Sequence, residues 1–113
     1  MPSPRIDFGC IYFGGQVFIV GGWQEFYVTS AQRYDIKEDK WLDLPSLNEE
    51  REDLSLCIVE DRYLFAFGNV TTRGRRFKAS KGGCVDYSFE RINLAEEFSE
   101  QKWELLTVKT DFN

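Results

Sequence analysis

One stretch of this chain lies over another. Residues 10–22 align with residues 57–69 without a gap at an offset of 47, so that Cys10 falls on Cys57, Ile11 on Ile58, Phe18 on Phe65 and Gly21 on Gly68. Each stretch is a short apolar run, a turn (Gly14-Gly15, then Glu60-Asp61), a second apolar run and a glycine. That is the pattern of a β-hairpin. The likeness resumes further on: residues 32–36 followed by 40–45 correspond to residues 89–94 followed by 102–106. Each copy therefore predicts two hairpins, with strands over 6–12, 16–21, 31–36 and 40–44, then 54–59, 62–67, 86–94 and 102–108. The domain reading is one repeat over residues 1–47 and a second over 48–113. A unit of this kind cannot bury both faces alone and stacks on its neighbours.

The second copy is longer. Trp41 and Trp103 are 62 residues apart, whereas Gly21 and Gly68 are 47 apart. The excess falls between strands, as eleven residues before the third strand, in the loop over 69–86, and four before the fourth. Loops absorb such length at small entropic cost.

The ordered set Val17-Phe18-Ile19-Val20-Gly21-Gly22, Tyr34, Trp41, Leu44-Pro45, Leu47 and Arg51 resembles the kelch repeat. Met1 to Arg5 resembles the element that leads into a copy. The second copy departs from the pattern, with Gly68-Asn69 for Gly-Gly and Ile92 for Tyr, but keeps Trp103. The resemblance implies an all-β fold: two four-stranded antiparallel blades of a β-propeller. Because propellers use about 4–8 blades, it also implies further blades, from a parent chain or from other copies, and a chain of 113 residues that is not a stable monomer by itself.

The repeat-defining residues have structural readings. Gly21, Gly22 and Gly68 allow positive φ and close backbone approach. Tyr34, Trp41 and Trp103 are large enough to fill the space between blades. Arg51 is read as satisfying carbonyls in the link between blades. Cys10 and Cys57, equivalent in the alignment and flanked by apolar residues, read as small buried hydrophobes.

Composition removes several functions. No histidine is present, which excludes His-based triads and most zinc and iron sites. No catalytic residue, metal or cofactor is expected. A net charge of −5 argues against a nucleic-acid binder, which needs cations to displace counterions from phosphate. No run approaches the roughly 20 apolar residues of a membrane span, and Met1 to Arg5 does not read as a signal peptide. The three cysteines share no CxxC spacing and read as reduced thiols in the cytoplasm.

Function is therefore expected where the copies differ. Trp23, Gln24, Glu25, Phe26 and Tyr27 form a loop with three aromatics after the second strand, and Arg73, Arg75, Arg76 and Lys78 form a basic cluster in the corresponding loop of the second copy. Asp7, Glu52 and Asp53 lie in the links between blades. The resemblance implies a non-catalytic module that presents these loops to a protein partner, of the ubiquitin-ligase-adaptor or cytoskeletal-scaffold type. The competing readings are a structural blade pair in a large assembly and a segment of a propeller enzyme whose site lies elsewhere.

Overall fold

A computed structural model describes residues 4–70 and 84–111, with side chains placed over 4–70 and 88–107. Eight strands form: β1 (Gly9–Phe13), β2 (Gln16–Val20), β3 (Ala31–Asp35), β4 (Lys40–Leu44), β5 (Arg51–Val59), β6 (Tyr63–Val70), β7 (Cys84–Asn93) and β8 (Glu104–Asp111). They make two four-stranded sheets, β1-β2-β3-β4 and β5-β6-β7-β8, antiparallel throughout. Each sheet is a blade of the expected all-β kind.

The turns set the register. Gly14 and Gly15 both take positive φ, 59° and 80°, which suits a two-residue hairpin turn. In the second blade Val59 pairs with Tyr63, so three residues, Glu60, Asp61 and Arg62, make the turn. The extra residue shifts one strand against the other copy. In β2 and β6, Ile19 and Ala66 are equivalent, at an offset of 47; their partners Cys10 and Leu56 are only 46 apart. Cys10 therefore corresponds to Leu56, and Cys57 to Ile11. A one-residue slip moves a strand's side chains to the other face. This corrects the reading of two equivalent buried thiols: Cys10 is exposed and Cys57 is only half-buried. The two insertions fall between the second and third strands and between the third and fourth, since Val20 pairs with Ala31 and Phe67 with Phe89, while Ala31 pairs with Leu44 and Phe89 with Leu106.

One face of blade one packs on the opposite face of blade two. Phe18, Val20, Ala31 and Leu44 meet Leu64, Ala66, Ile92 and Trp103 in a single core, with Leu47 from the link and Leu54 from β5 included. Gly9 lies tight against the second blade: a Cβ there would come within 2.8 Å of Leu56 Cγ. Trp103 is 3% exposed, and its indole N–H donates to Pro45 O at 2.6 Å. Trp41, at the matching position of blade one, is only half-buried and packs on Tyr34 with ring centroids 5.0 Å apart. The link changes sides between two residues. Leu47 N donates back to Thr29 O, and Asn48 N donates forward to Glu90 Oε1.

Candidate functional site

Two arginines, one just before the first strand of blade one and one opening the first strand of blade two, fasten the chain to carbonyls in or beside the second and third strands. Arg51 donates to Gly68 O at 3.0 Å and to Ser88 O at 2.8 Å, and its Nε meets Glu90 Oε2 at 2.9 Å. Both side chains of the pair are fully buried. Arg5 repeats the pattern with Gly21 O at 2.8 Å and Ser30 O at 3.1 Å. Arg51 thus holds carbonyls of its own blade, not of the link. The link is served by Glu90, which accepts from Asn48 N, Asn48 Nδ2 and Glu49 N. Sequence reading passed over Glu90; a lone carboxylate among Phe89, Arg91 and Ile92 was the available signal.

At Arg5 the carboxylate is replaced by Gln32, whose Oε1 lies 3.4 Å from an Arg5 terminal nitrogen. Arg5 Nε is buried without a partner, and burial holds its guanidinium below the ordinary value. Unmet buried donors cost stability. Gln32 also donates to the exposed Asp43 at 3.2 Å, so a carboxylate at 32 needs Asp43 neutralised. Gln32→Glu in an Asp43→Asn background is expected to stabilise the chain by about 1–2 kcal/mol relative to Asp43→Asn alone, read as a higher urea midpoint. An unchanged or lower midpoint would refute the equivalence of Gln32 and Glu90.

The aromatic loop is fixed against the N-terminal link. Gly21 and Gly22 take φ of 62° and 105°. A Cβ on Gly22 would sit 2.8 Å from Ile6 O and 2.9 Å from Phe8 Cβ, so only glycine lets the loop approach. Ile6 and Trp23 then exchange backbone hydrogen bonds, Ile6 N to Trp23 O at 3.1 Å and Trp23 N to Ile6 O at 2.8 Å. Trp23 meets Tyr27 edge-on, with centroids 5.0 Å apart. Tyr27 in turn donates to Glu52 Oε2 at 2.8 Å, and that bond, first among the causes, raises the phenol above its ordinary 10.0. Asp53 N closes the ring of contacts by donating to Asp7 Oδ2 at 3.1 Å. Residues far apart in sequence, 6–7, 23–27 and 52–53, therefore form one continuous surface.

That surface is apolar with an acidic rim. Ile6 is 66% exposed, Phe26 57% and Trp23 38%, and Asp7, Glu25 and Asp53 are exposed beside them. Pro4, Arg5, Ile6, Trp23, Gln24 and Glu25 line an open recess of about 490 Å³. Its openness and the shortage of convergent polar groups make it a shelf for a side chain, unlike an enclosed cofactor site. Among the described residues no group of three His, Cys, Asp or Glu could hold a metal ion.

Of the residues singled out by sequence, Trp23, Gln24, Glu25, Phe26 and Asp53 thus lie at one end of the blade pair. Arg73, Arg75, Arg76 and Lys78 lie outside the described residues. Tyr27, the third aromatic of the Trp23 loop, lies at the same end of the blade pair, whereas Ile6 was missed. The first strand is expected to include Ile6, but the positive φ of Asp7, 57°, turns the chain before β1 begins at Gly9.

Comparison with known proteins agrees with this architecture. Residues 4–48 match the Kelch motif. The chain is 28% identical over 114 residues to an F-box/kelch-repeat protein of Arabidopsis thaliana, covering 97% of this chain and 32% of that protein. It is 32% identical over 81 residues to human Kelch-like protein 13, covering 66% of this chain and 12% of the relative. Mouse Kelch-like protein 40 is 29% identical over 105 residues, covering 92% and 16% respectively. The chain thus spans a third or less of the length of these relatives.

Proposed function

We propose that this kelch-repeat chain is a non-catalytic protein-interaction module whose contact surface is the end of the blades built by Ile6, Asp7, Trp23, Glu25, Phe26 and Asp53. The observation that carries the reading is the exposure of Trp23 and Phe26 on a loop held by backbone hydrogen bonds and by Tyr27–Glu52. Exposed aromatics on a fixed frame lose little entropy on binding and make interface hot spots. Relatives named for their kelch repeats support the module reading. One of them carries an F-box in its name, which supports the adaptor type over the cytoskeletal one, with the module capturing a protein in the cytoplasm for a larger parent.

The parent would also supply further blades. Phe65, Phe67 and Phe89 stack on one face of blade two, with centroids 5.1–6.0 Å apart, and Phe67 is 40% exposed. The matching face of blade one, with Phe18, Val20 and Ala31, is covered by blade two. Repeat logic puts another blade on the phenylalanine face.

The test is capture of partners from cell extract by the chain and by Trp23→Ala/Phe26→Ala. Loss of two hot-spot aromatics is expected to weaken the specific partners by at least about thirtyfold while leaving the melting midpoint unchanged. An identical partner set would sink the reading.

A further inference from the structure

The partner's chemistry can be narrowed, resting on the interaction surface described above. We propose that this surface takes a basic segment of its partner, in which Lys or Arg residues flank one bulky apolar side chain. The apolar residue would sit on the shelf between Ile6 and Trp23, and the cations would meet Asp7, Glu25 and Asp53.

Three observations lead there. The carboxylates are exposed and come from three separate segments: Glu25 lines the recess, Asp7 follows Ile6 of its lining, and Asp53 N donates to Asp7 Oδ2. Like charges placed together cost self-repulsion, which a basic ligand relieves. The arrangement is also held in unusual backbone. Six described non-glycine residues take positive φ, and three of them are Asp7, Glu25 and Asp53, at 57°, 70° and 53°. For a glutamate that conformation is uncommon and costs energy. Finally, Arg5, the one cation lining the recess, is already used. It is 7% exposed and its terminal nitrogens donate to Gly21 O, Ser30 O and Gln32, so among the described residues an incoming carboxylate finds no available cation lining the recess.

The experiment is fluorescence anisotropy of the full chain with three labelled peptides: a Lys-Arg peptide with a central Phe, the same peptide with Glu for each cation, and the basic peptide with Gly for Phe. The variant is Asp7→Asn/Glu25→Asn/Asp53→Asn, because asparagine removes the charge and tolerates left-handed backbone. The basic Phe peptide is expected to bind best and to weaken steeply with salt, as exposed charges do. The triple variant is expected to lose about tenfold or more of that affinity through its rim charges, and Trp23→Ala/Phe26→Ala to lose a similar factor. Undiminished binding of the basic peptide by the triple variant overturns the inference. So does equal or tighter binding of the acidic peptide; if that binding still needs Trp23 and Phe26, the surface survives and only its charge preference falls. If no peptide binds and the aromatic variant captures the same partners as the parent chain, both readings fall together.

Discussion

Replacing Arg51 with methionine is expected to destabilise the chain by about 3–5 kcal/mol, the usual cost of breaking a buried ion pair from one side. Arg51 and Glu90 are both fully buried, so the remaining carboxylate cannot recover its hydration. The loss extends beyond the pair. Gly68 O, Ser88 O and Ser88 Oγ each accept from Arg51 and would each lose that donor. Arg51→Lys keeps the charge but not the planar fork that reaches four acceptors at once, so it should recover only part of the loss. Glu90→Gln should cost less than Arg51→Met: it leaves the Arg51 charge without its carboxylate, but that guanidinium keeps Gly68 O, Ser88 O and Ser88 Oγ as acceptors, and an amide oxygen still accepts from the link. Denaturant midpoints of the three variants give the order. A fall of less than about 1 kcal/mol for Arg51→Met would mean that the pair behaves as a surface contact and that the blade is held otherwise.

The second large effect is at Trp103. Truncation to alanine removes the largest side chain from the contact between blades and is expected to cost about 3–5 kcal/mol. Trp103→Phe keeps most of the apolar area but strands Pro45 O, for about 1–3 kcal/mol. The matching change Trp41→Ala should cost distinctly less in this chain, because Trp41 is half-buried and packs on Tyr34 rather than between the sheets. Equal losses at 41 and 103 would show that burial between blades is not what Trp103 contributes. The two positions carry the same repeat residue, so the comparison isolates context from chemistry.

Much of the fold was legible in the sequence because it rests on local signals. Period-two apolar runs and turn residues mark all eight strands, and the two insertions fall where the spacing between Gly21, Tyr34 and Trp41 and their counterparts predicts. The register of β1 against β5 was not legible. Gly14-Gly15 and Glu60-Asp61-Arg62 differ by one residue, and apolar residues flank both turns closely enough that a gapless alignment looks correct. Only the pairing of Cys10 with Ile19 and of Leu56 with Ala66 reveals the slip, and with it the exposure of Cys10.

The candidate surface divides in the same way. Trp23 and Phe26 are visible as an aromatic cluster in a loop, but their joining to Ile6, Asp7 and Asp53 depends on contacts across 17 to 46 residues. Glu90 is a similar case: a lone carboxylate in a strand draws notice but does not tell that it faces link residues 41 and 42 positions away and Arg51 of β5, 39 away. What the sequence determined by itself is the repeat: eight strands in two blades, the glycines that permit the turns, and the loops in which the copies differ. What only the tertiary structure decided is which distant side chains meet. Strand formation follows from each residue's own neighbours, whereas the pairing of Arg51 with Glu90, 39 residues apart, and the contact of Asp53 with Asp7, 46 apart, exist only once distant segments have come together.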